Sequence, residues 1–493
     1  MISQISRMGP GRATLLLIGL SSFLHLLVMG GIGLSGDEAH YALYGFHPDL
    51  SYFDHPPMVG WLQAIIESFS TTDFALRIWP LLFSALTALA LYRYSQVLFP
   101  ANSRWTGFWA VVLMQSGLVF HVLGLGLVPE TPLMLFAILA FIASLQALEG
   151  NRWRDWLTAG VCLGLAGLSK YTAVTLVVSI LLLIAMERRW YQFGNPRLWV
   201  AVCLAALIVS PVFYWNATHD WISFAYQLHH GTGSSHWELA RFIQSQAGQL
   251  ISDGPGLYLF GLATIVVAFR QRHISGMRYA LILALPLLVL FGWNGGYVVT
   301  LPHWTALGWL ALSPAMAVWL MQVWGRLRSV RWLAYASALY ALILILPVFY
   351  LQLWHPWLPF PAGKDYMTGE FYGWPQAARR AIELRNAMNQ TPGPQAKLFI
   401  GSWTLASRLA WYGRPEAVMV ADRRYDQFDL WFGSPKAGDR GIFVEWSVFP
   451  FPPHSDDRGD YFDRCEKLET QDVMIGGRLG AQFSFYECRG YRP

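Results

Sequence analysis

The sequence predicts a polytopic α-helical membrane protein with a small α/β domain at its C-terminal end. Three observations carry that expectation. Of the 493 residues, 55% are hydrophobic and only 13% charged, against roughly 25% charged in an average soluble domain. Apolar runs of about 20 residues, enough helix to cross a hydrocarbon core of about 30 Å, recur along the chain. From Trp354 onward the composition changes to Pro, Gly, aromatic and charged residues. The net charge of +5 comes mostly from arginines at the ends of apolar runs, so it argues for no nucleic-acid partner.

Taken in order, the runs give about eleven spans, at 13–34, 74–98, 106–126, 131–148, 156–169, 171–186, 198–216, 255–269, 277–293, 303–324 and 332–353. The first is longer than a signal-peptide core and lacks a small-residue cleavage site, so it reads as a retained span. Basic residues collect on alternate connections: Arg7 and Arg12, Arg93 and Arg104, Arg152 and Arg154, Arg188, Arg189 and Arg197, Arg270, Arg272 and Arg278, then Arg326, Arg328 and Arg331. Those are the cytoplasmic connections. The N-terminus is then inside, and loops 35–73 and 217–254 and the tail are outside. The division expected is a membrane domain over 1–353 and an outer, periplasmic α/β domain over 354–493.

The runs at 156–169 and 171–186 are too short to cross upright and share a turn at Ser169, Lys170 and Tyr171, which predicts a hairpin. A lysine at such depth needs a partner or a polar cavity. In loop 217–254, Trp237 to Leu250 has the spacing of an interfacial helix. In the tail, Trp374 to Asn389 reads as a helix, and Lys397 to Ile400 and Gly441 to Trp446 as strands. Cys162 and Cys203 lie in apolar runs, whereas Cys465 and Cys488 lie in the polar tail and can pair in an oxidising compartment.

Chemistry concentrates in Ser35 to Pro57. Ser35-Gly36-Asp37-Glu38 fits a capping box, which would occupy Glu38. Asp37 is not needed by the box, and His40 and Tyr41 follow it at i+3 and i+4, on the same helix face. A carboxylate, an imidazole and a phenol there suit proton handling. Two prolines exclude Asp54 and His55 from a helix and hold them on a rigid turn, whose plain alternative is a solvated loop. Glu130, between Pro129 and Pro132, serves equally as a helix-start carboxylate or a site group. Arg77 and Lys170 suit either structural pairing or phosphate binding. His229, His230 and His303 lack the spacing of a strong metal motif, and the sequence has no glycine-rich phosphate cradle for a nucleotide cofactor.

GDEAHYA, YFDHPPMVGWL, VPETPLMLF, GLSKYTA, SPVFYWNATHDWISFAYQLHHG and PHWTALGWLAL, in that order, resemble the bacterial protein O-mannosyltransferase-like glycosyltransferases of the GT-C superfamily. That superfamily also holds the lipid A aminoarabinose transferase. The resemblance spans the membrane part and, more loosely, the tail. It implies a GT-C fold in a bacterial inner membrane, a polyprenyl-phosphate-linked sugar donor and a lipid, glycan or protein acceptor. Asp37 maps onto the family's catalytic base, with Glu38 beside it, and Asp54-His55-Pro56-Pro57 onto an E-K-P-P segment. Asp54, with His230, then stands where a divalent metal (zinc, magnesium or manganese) is held. His55 replaces the family's lysine, and Lys170 becomes the preferred phosphate contact, with Arg77, His40 and Tyr41 further candidates. Tyr171, His229, His303 and Glu130 complete the set, in an enzyme expected to be monomeric. The competing function is a transporter or flippase of an anionic or lipid-linked substrate, with Lys170 and Arg77 along its path.

Overall fold

The computed structural model describes residues 8–102, 104–232, 236–355, 369–422, 424–447 and 461–493. The chain divides into two compact units, one of residues 1–26, 50–59 and 77–347, the other of 27–49, 60–76 and 348–493. The linear division expected at residue 353 is therefore crossed, because most of the first outer loop folds with the tail.

The first unit is helical: α1 (Pro10–Val28), the later α4 (Ile78–Leu98), α5 (Trp105–Gln115), α6 (Leu118–Leu125), α7 (Glu130–Gly150), α8 (Trp153–Ser169), α9 (Val174–Met186), α10 (Pro196–Thr218), α11 (Ile222–Thr232), α12 (Leu239–Arg270), α13 (Ser275–Asn294), α14 (Ala306–Val323) and α15 (Arg328–Ile343). The second unit holds α2 (Gly36–Phe46), most of α3 (Met58–Glu67), α16 (Trp374–Met388), α17 (Trp403–Gly413), α18 (Gln427–Phe432) and five strands. Among the described residues, eight helical stretches are long and apolar enough to cross a membrane, or nine with α5 and α6 taken together. The remaining two of the eleven expected spans are α8 and α9, which form the short hairpin anticipated, with Lys170 extended at its turn.

The expectation of one straight span over 106–126 is corrected. α5 and α6 are bent by 79°, with Gly117 extended between them. In hydrocarbon a freed carbonyl needs a donor. His121 Nε2 supplies one to Gln115 O at 2.9 Å, and His25 Nε2 supplies another to His121 O at 3.1 Å. A similar repair serves α12, which joins the expected interfacial helix and the following span across a break at Gly254. Pro255 has no N–H for the Ile251 carbonyl, and the Tyr340 hydroxyl donates to it instead at 2.6 Å.

In the second unit, β1 (Lys397–Ile400), β2 (Val418–Val420), β3 (Gly441–Trp446), β4 (Phe462–Ile475) and β5 (Arg478–Tyr491) form one sheet in the order β2-β1-β3-β5-β4. β1 is parallel to β2 and β3, whereas β5 runs antiparallel to both β3 and β4. Side chains alternate across the pleat. Leu398, Ile400, Ile442 and Val444 enter a core with Trp374 of α16, Leu405 and Leu409 of α17, and Ala39, Ala42 and Leu43 of α2. Phe399 and Phe443 enter the opposite core with Phe462 and Tyr491. Each such buried side chain contributes roughly 1.5–3 kcal/mol. The β4–β5 hairpin was not expected from the sequence, although Gly476-Gly477, both at positive φ, is the two-residue signal for one.

Cys465 and Cys488 face each other across that hairpin and are joined by a disulfide. Mass spectrometry of the unreduced native protein should find both resistant to alkylation, and reduction should expose two further thiols. The Cys465→Ser, Cys488→Ser double variant should lose about 2–4 kcal/mol of domain stability, measured by chemical unfolding.

Candidate active site

Asp37 stands on the first turn of α2, and the contacts that fix this turn lie within the second unit. The Ser35 hydroxyl accepts from the Glu38 amide at 3.3 Å, and the Glu38 carboxylate accepts from the Ser35 amide at 2.9 Å. This is the reciprocal capping box, so Glu38 is committed to the helix start and buried. Asp37 beside it is partly exposed. The strand of chain before the helix is tied to the tail: Gly33 N donates to Phe371 O at 3.1 Å, and the Tyr412 hydroxyl accepts from Leu34 N at 2.8 Å. A side chain on Gly33 would collide with that Phe371 carbonyl.

His40 and Tyr41 do lie on the following turn, and both are buried. His40 is 2% exposed, its Nδ1 is 3.1 Å from the Ser407 hydroxyl, and its ring packs against Tyr44 and Trp403 at 4.8 and 4.9 Å. An imidazole is as easily a core group as a ligand, and here an aromatic cluster has taken it. Asp426, facing His40 from the start of α18, is also buried, and burial pushes its carboxyl up to about 6.

The first unit holds a second constellation. The Lys170 ammonium donates to Glu130 Oε1, and His303 Nε2 lies 3.6 Å from the same oxygen. The ammonium is also 5.7 Å from the centre of the Trp304 ring. Three segments far apart in sequence thus meet: the start of α7, the hairpin turn and the Pro302–Thr305 turn. Glu130 is well placed for a carboxylate, at the positive end of α7. His55 lies within electrostatic reach of it.

The Asp54-His55 turn is fixed through its backbone. Tyr52 N donates to His55 O at 3.1 Å. From α11, Ser223 Oγ donates to Tyr52 O at 2.8 Å and Gln227 Nε2 to Asp54 O at 2.6 Å, while Phe53 packs on Tyr226 at 4.7 Å. The Tyr171 hydroxyl lies among Ser51, Ser223 and Asn216. Arg77 is buried at the start of α4. His229 and His230 fall on α11, the helix that clamps the turn, but their side chains lie outside the described residues.

Asp54 and His55 place a carboxylate and an imidazole 3.8 Å apart, two groups of the kind a divalent ion takes. Among the described residues no three His, Cys, Asp or Glu side chains converge on one point. Among the described residues the ligand set is therefore incomplete.

Arg408 and Glu370 were not singled out by sequence reasoning. Arg408 sits mid-helix in the tail, and no spacing rule links it to residue 37. Burial lowers its guanidinium to about 10, while Glu370 and Asp37 pull it back up. Glu370 is pushed up by burial, with Arg408 opposing and Glu38 and Asp37 reinforcing the rise.

Residues 54–215 match the family described as dolichyl-phosphate-mannose-protein mannosyltransferase. The lipid A galacturonosyltransferase RgtD of Rhizobium johnstonii is 24% identical over 326 residues, 64% of this chain and 66% of that protein. The chain thus spans just under two thirds of this relative's length. ArnT from Cupriavidus metallidurans superposes with a TM-score of 0.59 in the apo state and 0.60 bound to undecaprenyl phosphate, at 15% identity, over 96% of this chain and 97% of that one. The superposition extends over nearly the whole length, and the chain has the GT-C fold in its ArnT-like form.

Proposed function

We propose that this protein is an inverting glycosyltransferase that moves a sugar from a polyprenyl-phosphate carrier to lipid A or a related envelope glycolipid, at the outer face of a bacterial inner membrane. The observation that carries the proposal is Lys170, a cation held inside the membrane unit by Glu130 and flanked by His303, at the turn of a hairpin too short to cross. A charge at such depth marks a functional site by default, and a phosphate on a lipid chain is the anion that reaches it from the bilayer. The relatives act on or bind matching chemistry: one is named for lipid A and galacturonate, the other is seen with undecaprenyl phosphate.

The reaction needs two things from the protein. Asp37 takes the proton of the acceptor hydroxyl, whose oxygen attacks the anomeric carbon. The bond from that carbon to the phosphate oxygen breaks, and its electron pair leaves with the polyprenyl phosphate. A phosphate leaving group needs charge stabilisation rather than protonation, which Lys170 supplies, with His55, His303 and Arg77 as further positive or hydrogen-bonding groups. One displacement inverts the anomeric centre. A divalent ion held at Asp54, with His55 or His230, would add charge on the leaving phosphate when bound.

Asp37→Asn should cut turnover by roughly 10²–10⁴-fold while the affinity for polyprenyl phosphate stays unchanged; turnover near the wild-type rate would remove Asp37 as the base. Lys170→Ala strands a buried Glu130 and should cost about 3–5 kcal/mol. The Glu130→Gln, Lys170→Met pair should restore the melting temperature without restoring carrier-lipid binding. Wild-type binding in that double variant would show that Lys170 does not hold the phosphate. Exhaustive chelation should lower turnover, and zinc, magnesium or manganese should restore it; full activity after chelation would dismiss the ion.

A further inference from the structure

We propose that Arg408, in the C-terminal domain, is a positioning residue for the transfer reaction, its buried guanidinium holding Glu370 and the Asp37 turn in the arrangement in which Asp37 accepts the proton. The inference rests on Asp37 being the base.

Arg408 is 3% exposed. Its guanidinium carbon lies 4.5 Å from the Trp374 ring centre and 5.0 Å from that of Trp446, so both neighbours offer π-faces, a packing that suits a planar cation. Nη1 donates to Glu370 O at 2.9 Å and faces Glu370 Oε2 at 3.5 Å. Nε has no partner among the described residues. A buried charge held this loosely is expensive as a structural device.

Arg440, in the same domain, shows what a structural arginine looks like. It donates to the carbonyls of Pro392 and Thr391 at 3.1 and 2.9 Å, and to Pro394 O and the Thr391 hydroxyl besides. Arg440 closes a turn with neutral acceptors. Arg408 instead donates to the Glu370 carbonyl and sets its charge 3.5 Å from that residue's carboxylate, while the next residue, Phe371, accepts from Gly33 N and Tyr412, one turn further along the helix of Arg408, accepts from Leu34 N just ahead of the Asp37 turn.

The groups around Asp37 define what the charge does. Glu38 stands beside it on α2 and is occupied by the cap, while His40 faces Ser407 and Asp426. Tyr412 of α17 donates to Asp73 at 2.9 Å. Glu370 adds a negative charge, and Arg408 is the positive charge set against it. A guanidinium near a base favours its ionised, proton-accepting form, and a neighbouring carboxylate disfavours it.

The test measures pH profiles of transfer by the full-length purified protein in detergent, with polyprenyl-phosphate galacturonate and lipid A as probes. In Arg408→Gln the acidic limb of kcat/KM should move to higher pH by about one unit, and Arg408→Lys should return it. Glu370→Gln should move the same limb to lower pH. A limb that stays in place in Glu370→Gln, or in a folded Arg408→Gln, overturns the inference, and Glu370→Gln carries the test if Arg408→Gln does not fold. Asp37→Asn separates the two levels. If it is inactive and the limbs do not move, the positioning role fails alone; if it is active, the reading beneath fails.

Discussion

A charge inside hydrocarbon must be neutralised where it stands, and the membrane unit is arranged around that constraint. An unpaired lysine or glutamate at such depth costs several kcal/mol. Lys170 and Glu130 meet this by pairing across 40 residues of sequence. To do so the chain stops a helix at Ser169, extends Lys170 and restarts, and it begins α7 at Glu130, where the helix end already favours a negative charge. His303 on a third segment then faces the same oxygen. A pair bought at this expense for rigidity alone could be replaced by apolar residues, which is why the cluster is read as chemistry.

The same logic applied to the backbone explains the broken helices. Bending α5 against α6 by 79° frees carbonyls in a medium without water. Two buried histidines supply the donors, one to the freed carbonyl and the other to the first histidine's own backbone oxygen. At Pro255 a tyrosine from another helix does so. Polar residues in apolar runs thus divide into two kinds. His25, His121 and Tyr340 repair backbone, whereas Lys170, Glu130 and His303 face one another.

The second unit shows how a local motif is completed by its surroundings. The capping box fixes only the direction in which α2 begins. The tail supplies the rest, with Phe371 and Tyr412 gripping the chain before the helix and an aromatic cluster enclosing His40. Between the neighbouring carboxylates the division of labour is physical: the cap consumes Glu38, and Asp37 keeps its access.

The sequence by itself determined the membrane class, the short hairpin at Lys170, the capped start at Ser35, the rigid Asp54-His55 turn and two strands of the tail, β1 and β3. Each rests on residues close together in the chain, where periodicity, prolines and caps act through local geometry. Only the tertiary structure decided which groups meet. Spacing put His40 on the face of Asp37, but packing turned it into a core. Nothing local tells that Glu130, Lys170 and His303 share one oxygen, that a helix at 222–232 clamps the turn, or that Arg408 answers to residue 37. Those pairings depend on where long apolar helices and a sheet place distant segments, and a charge is steered by its neighbours in space rather than by those in sequence.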